Sequence, residues 1–193
     1  HITKFTVDVV VITDRDIVYD PTCGTGGFLV AAFDVVKQNF SEIALNRFKT
    51  QNLFGVEQEP EVVALALVNM IFRGDGKNNL IEGNCFQKNL VRTTSNTIEY
   101  SKRPPKPDET AVTRVLMNPP FALKTSDEKE YKFVDQALRQ MQDGGLLFSV
   151  LPYSAMVKPG GYFDWRKGSL LRNNTLLCVI TFPEDLFYPV GVH

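Results

Sequence analysis

A doubly wound α/β fold, with a mostly parallel sheet covered by helices on both faces, is the architecture this 193-residue sequence predicts. Three observations carry that expectation. Short runs rich in β-branched residues are apolar almost without interruption, as strands covered on both faces require. Helical stretches separate these runs, and strand–helix alternation implies parallel pairing. Apolar residues make up 44% of the chain, enough to fill a real core in one domain of ordinary size.

The elements follow in order. The opening HITKFTVDVV reads as part of a helix. A first strand, Val18–Asp20, hands over through a glycine turn to an apolar helix from Gly26 to Phe40. The second strand is Leu53–Glu57, and Pro60 suits the first turn of a helix that runs to Phe72 and closes at Gly74. Leu80–Glu82 is the third strand; Gln87 to Thr110, which contains SKRPPKPDE, reads as an exposed loop. Val112–Met117 is the fourth strand. Thr125 and Glu128 then have capping-box spacing, and Phe133, Val134, Ala137, Leu138 and Met141 recur at helical intervals until Gly144-Gly145. A fifth strand is expected at Leu146–Leu151, an insertion at Ser154 to Lys167, and a sixth strand at Leu176–Thr181. Both ends read as cut, so residues 1–193 are expected to form the single-domain core of a longer chain.

Several function classes drop out on composition. The only histidines are His1 and His193, which argues against hydrolases with a histidine base and against histidine metal sites. Cys23, Cys85 and Cys178 are odd in number and show no paired spacing, so neither a disulfide frame nor a zinc site is expected, and the usage fits a reducing cytosol. No window approaches the roughly 18 apolar residues of a membrane span. Net charge is −1, so the chain carries no overall basic footprint for nucleic acid.

The strand ends carry the chemistry. In an open parallel sheet, ligands bind beyond the carboxyl ends of the strands. The first strand ends at Asp20-Pro21-Thr22, followed by Cys23-Gly24-Thr25-Gly26-Gly27. The glycines let backbone approach a ligand closely, and helix N-terminal amides face outward there. A P-loop would need Gly-Lys-Ser/Thr, which Gly26-Gly27-Phe28 lacks, and the turn is a poor match to G-x-G-x-x-G. An acid at the strand end repels pyrophosphate but suits an ammonium group, which fits the amino acid portion of S-adenosylmethionine. Glu57 ends the second strand, where a carboxylate accepts hydrogen bonds from ribose hydroxyls. Asn84, after the third, stands where an adenine ring would lie. Alone, Glu57 reads as a helix cap and the glycine turn as a tight connection; together, on successive strands, they point to a nucleoside-type cofactor.

Asn118-Pro119-Pro120-Phe121 follows the fourth strand. Two prolines end sheet pairing and hold the Asn118 amide and the Pro119 carbonyl in set directions. Such a turn suits an exocyclic amine on an aromatic base, whose two hydrogens go to the Asn118 oxygen and the Pro119 carbonyl while Phe121 stacks on the ring. Flipping a base out of a duplex needs a stacking partner of this kind. No metal or histidine base is required, because orientation and charge placement carry much of such a barrier.

The motifs DPTCGTGGFL, GVEQEP, GNCF and NPPF, in this order, resemble the DNA adenine-N6 methyltransferases, and more narrowly the modification subunit of type I restriction–modification systems. The opening helix and the segments DGGLLFSVLP and VITFPEDLFYPVGV are similar to that subunit's core as well. The resemblance implies a Rossmann-like catalytic methyltransferase core that lacks the family's N-terminal helical domain. It implies S-adenosylmethionine held by Asp20, Pro21, Thr22, Gly24, Thr25, Gly26, Gly27, Glu57 and Asn84, with Asn118, Pro119, Pro120 and Phe121 handling the target adenine in double-stranded DNA. A cytoplasmic location, a specificity subunit and a restriction subunit are implied too.

Other readings remain open on sequence. Methylation of cytosine N4, of guanine N2 in RNA or of a protein glutamine uses similar Asn-Pro-Pro turns. A non-catalytic scaffold that binds cofactor and partners is a further alternative, as is a nicotinamide oxidoreductase. Lys158, Arg166 and Lys167, beside Trp165, read first as a solvated basic loop, with a DNA-backbone contact as the alternative.

Overall fold

A computed structural model of the chain describes residues 2–74, 79–120 and 129–183. Helix α1 spans Ile2–Val10 and buries Thr6, Val7 and Val10. Strand β1, Val18–Asp20, is buried throughout, and α2, Gly27–Asn39, buries Phe28, Leu29, Ala32, Phe33 and Val36 along one stripe. A short helix α3, Glu42–Arg47, starts at Ser41, whose hydroxyl accepts from the Ala44 N–H at 3.3 Å. Strand β2 is Leu53–Glu57, and α4, Pro60–Phe72, has its proline in the first turn as expected. Strand β3 is Leu80–Glu82.

The structure corrects the next expectation. Within the stretch read as a loop, β4 (Asn89–Arg92) and β5 (Ile98–Ser101) pair antiparallel, Leu90 beside Tyr100, and Asn96 takes a positive φ of 63° in the connecting turn. The hairpin docks on the sheet: the Tyr100 hydroxyl lies 2.8 Å from the Asn79 carbonyl and 3.0 Å from that of Gly55, and Leu90 is fully buried. Each strand is only four residues long, too short for its alternation to stand out from the polar residues around it.

Strand β6 is Val112–Met117, and α5 spans Glu130–Leu138; the capping-box pair Thr125 and Glu128 lies outside the described residues. Here a second correction enters. Met141 does not continue the helix but opens β7, Met141–Ser149, which contains Gly144-Gly145. Val112 pairs with Met141 and Arg114 with Leu146, so residues 142–145 bulge out of the ladder. A Cβ on Gly145 would come within 3.1 Å of the Gln142 carbonyl and 3.2 Å of the Thr113 carbonyl, so these glycines serve a bulge rather than a helix end.

The insertion after β7 is helical: α6 (Tyr153–Val157), α7 (Gly161–Trp165) and, after a wide turn, α8 (Leu171–Asn173). The expected sixth strand does not form. Among the described residues, 176–181 find no sheet partner, and Leu177 is 72% exposed. A β-branched run becomes a strand only where a neighbouring edge accepts its hydrogen bonds.

The sheet order is β3-β2-β1-β6-β7, with every pair parallel. Side chains alternate between its faces. Val18, Leu53 and Leu116 pack with α1 and α2, whereas Tyr19, Phe54, Val115 and Met117 pack with α5 and the hairpin's Leu90. The second face is thus covered partly by a hairpin, not by helices alone. Among the described residues, no helix is long and apolar enough to cross a membrane.

Candidate functional site

Strand ends build the site. β1 and β6 are parallel neighbours, Val18 beside Arg114 and Tyr19 beside Val115, so Asp20 and Asn118 lie along one carboxyl rim. The strand order reverses between them, with β2 and β3 on one side and β7 on the other. Such a switch point opens a crevice beyond the strand ends. Glu57 ends β2 beside Glu82, and Asn84 follows β3, so all four predicted side chains share this edge.

The Asp20 carboxyl is almost wholly buried and accepts from the Thr22 N–H at 3.1 Å. Burial drives its pKa up from 3.8 to about 8, against the pull of that N–H, and the nearby Glu57 carboxylate pushes the same way. No described cation pairs with it. Pro21 is buried; the Thr22 Oγ1 is buried with no hydrogen-bond partner among the described residues, an orphan that a ligand would satisfy. Gly24 and Gly26 take φ of +53° and +82°, where side chains are strained, and a Cβ on Gly24 would meet nothing within 4 Å. Thr25 and Gly27 are exposed at the turn.

Glu57 does more than one thing. Its Oε2 accepts from the Gly24 N–H at 2.9 Å, tying the glycine turn to β2. Its Oε1 accepts from Gln58 at 2.7 Å and Glu59 at 3.0 Å, capping the entry to α4. A carboxylate offers about four acceptor positions, so three backbone amides leave room for about one ligand hydroxyl. The helix-cap reading is thus observed, and it leaves an acceptor position free. Asn84 is likewise a cap, its Oδ1 accepting from the Phe86 N–H at 2.9 Å.

On the other side of the switch point, the Val150 N–H donates to the Met117 carbonyl at 3.0 Å, the last sheet bond before Asn118. Asn118 and Pro120 are exposed at the rim and Pro119 is buried; Phe121 lies outside the described residues. Sequence reasoning overlooked the groups that brace these turns. Gln136 is buried and its Nε2 donates to the Cys85 carbonyl at 3.1 Å and the Asn89 Oδ1 at 2.7 Å, so α5 grips the turn that follows Asn84. Gln140 accepts from the Leu90 N–H at 2.6 Å. The signal was present: two amides four residues apart on an otherwise apolar helical face. Ser149, paired with Met117, also keeps a buried hydroxyl without a partner among the described residues at this rim.

Fold and rim together define a class, the Rossmann-like fold of S-adenosylmethionine-dependent methyltransferases. Within it, the chain belongs to the N-6 DNA methylase family, whose sequence profile matches residues 1–193. It is 35% identical over 198 residues to the type II restriction enzyme and methyltransferase RM.BcgI of Heyndrickxia coagulans, covering all of this chain and 29% of that protein. Against the type I restriction enzyme StySPI methylase subunit of Salmonella potsdam, identity is 25% over 195 residues, or 92% of this chain and 35% of the subunit. A solved component of a type I restriction–modification system superposes with a TM-score of 0.68 at 25% identity, covering 86% of this chain and 34% of that one. The chain spans about a third of the length of these relatives.

Proposed function

We propose that this domain is the catalytic core of an S-adenosylmethionine-dependent methyltransferase acting on the N6 of adenine in DNA. One observation carries the reading: the buried acid and glycine turn after β1 and the Asn-Pro-Pro turn after β6 stand on adjacent parallel strands at the reversal of strand order. The residues suit the cofactor. Among the described residues Asp20 has no counter-cation and Thr22 Oγ1 no partner, and Gly24 leaves space where a side chain would stand.

In this reading Asp20 faces the ammonium group, with Pro21 and Thr22 shaping the turn around it. Gly24, Thr25, Gly26 and Gly27 bring backbone amides close, Glu57 accepts from the ribose, and Asn84 borders the adenine ring. When bound, the cofactor supplies an electrophilic methyl group on a sulfonium centre. Asn118 Oδ1 and the Pro119 carbonyl accept the two hydrogens of the adenine amine, which turns its lone pair out of conjugation with the ring. Pro120 stiffens the turn and Phe121 stacks on the base. Such preorganised acceptors lower the barrier without a metal.

Similarity to type I methylase subunits supports a cytoplasmic assembly with a specificity subunit and a restriction subunit, acting on duplex DNA. A second reading is favoured by the relative whose name joins restriction enzyme and methyltransferase: the parent chain itself also restricts. A nuclease assay on the purified full-length polypeptide separates the two. For the methylation itself, Asn118→Ala in the full-length protein is expected to abolish adenine methylation while cofactor binding stays near wild type. Methylation retained by that variant refutes the role given to the amide.

A further inference from the structure

The insertion after β7 takes no part in the cofactor cradle. It leaves the sheet at Val150, hydrogen-bonded to Met117 beside Asn118, so it starts on the amine side of the crevice. It then packs on α5. The Tyr162 hydroxyl donates to Glu130 at 2.8 Å, Trp165 Nε1 donates to Asp135 at 2.9 Å, and Trp165 stacks on Tyr131 with ring centres 5.4 Å apart. Ser169 adds a second bond to Asp135 at 3.1 Å. Both α5 carboxylates that meet the insertion are therefore engaged by neutral donors and neutralise none of its cations.

Those cations are concentrated. The whole chain has a net charge of −1, yet residues 154–173 hold Lys158, Arg166, Lys167 and Arg172 against one acid, Asp164. Arg166 donates to the carbonyls of Ala155 at 2.7 Å and Lys158 at 2.9 Å, neutral partners that fix its place without cancelling its charge. Lys158, Lys167 and Arg172 are exposed, and none forms an ion pair with a described residue. Phe163, Arg166, Lys167, Leu171 and Arg172 line an open groove of about 460 Å³, with Phe163 half-exposed under the Arg166 guanidinium.

We propose that this groove binds the phosphate backbone of the DNA strand that carries the target base, with Lys167 and Arg172 as the contacting cations. The inference rests on the methyltransferase reading above. These 193 residues have near-zero net charge and so gain little long-range attraction for a polyanion; phosphate affinity then comes from a local patch or another subunit, and this patch belongs to the insertion that leaves the sheet beside Asn118. Arg166 is the positioning residue, holding the groove wall through its two carbonyl bonds. The basic segment is thus helical where a loop was expected and anchored to α5, with Lys158 and Lys167 exposed to solvent as read from the sequence.

The test uses the full-length protein with the subunits it assembles with, and a labelled mixed-sequence DNA duplex. The double variant Lys167→Gln/Arg172→Gln is expected to weaken duplex binding about tenfold at moderate salt and to flatten the salt dependence by about two counterions, since each phosphate contact contributes a slope of about 0.9. Cofactor affinity and the methylation rate at saturating DNA should stay at wild-type values. A charge-reversed pair, Lys167→Glu/Arg172→Glu, should weaken binding further. Unchanged affinity and salt slope in both variants overturn the proposal, and so does loss of subunit assembly with intrinsic DNA affinity intact. Wild-type protein that fails to methylate DNA adenine would instead overturn the underlying reading, independently of either variant.

Discussion

Replacing Asp20 with Asn tests the electrostatic design of the rim. Burial raises the Asp20 pKa from 3.8 to about 8, so the cofactor-free domain holds a proton there that the unfolded chain releases. A carboxyl whose folded pKa is raised contributes its stability in full below the unfolded value and loses it as pH rises through the folded one. Between about pH 4 and pH 8, the cofactor-free protein should therefore become less stable. At about 1.4 kcal/mol per pH unit, the full difference is on the order of 6 kcal/mol. The amide of the Asp20→Asn variant would not titrate, and its Oδ1 can keep the Thr22 N–H; against that, a buried amide NH2 without an acceptor costs about 1–3 kcal/mol. The variant should thus be weaker than wild type by about 1–3 kcal/mol near pH 4 and more stable by about 3–5 kcal/mol at pH 8.5. Urea unfolding across that range measures this directly. Cofactor binding gives a second readout. An ammonium group placed on Asp20 lowers its pKa, so wild-type protein should release close to one proton per cofactor bound at pH 7, read by calorimetry in buffers of different ionisation enthalpy. Asp20→Asn should bind weakly and release none. Parallel stability curves for the two proteins, or proton-neutral binding by the wild type, would refute the reasoning.

Three further expectations follow from packing and burial. A Cβ on Gly55 would sit 2.6 Å from Leu29 Cδ1 and 3.2 Å from Cys23 Sγ, so Gly55→Ala should cost about 1–3 kcal/mol in chemical unfolding, the size of an overpacked core. Gln140→Leu strands the buried Leu90 N–H and should cost about 1–3 kcal/mol, with faster amide exchange in the β4–β5 hairpin as its local signature. Burial pushes the Cys85 thiol up to about 12 and Cys23 higher still, while Cys178 is exposed. A disulfide reagent at pH 8 should accordingly label one thiol in the folded chain and three after unfolding, counted by absorbance.

How much was legible in the sequence depends on how local each feature is. β1 and β2, almost wholly buried, were legible as short apolar runs ending at an acid, because residues buried on both faces need no partner-specific pattern; β3, a partly exposed edge strand, and β6 were marked by the acid and the amide at their carboxyl ends. Pro60 marks the start of α4 because its ring sets its own φ. The hairpin, β7 and the unpaired 176–181 segment were misread for one shared reason: each depends on which edge is available, and a four-residue alternation or a Gly-Gly pair looks alike in a loop, a helix end or a bulge.

Residue identity alone places the acid, the glycines and the Asn-Pro-Pro turn at the strand ends, since these properties reside in single residues and their immediate neighbours. Long-range packing alone places β1 beside β6, buries Asp20 so that its pKa rises, and brings Glu57 to tie the glycine turn to β2. Strand order and burial are set by long-range pairing and by solvent exclusion over the whole fold, and no local run of residues encodes either.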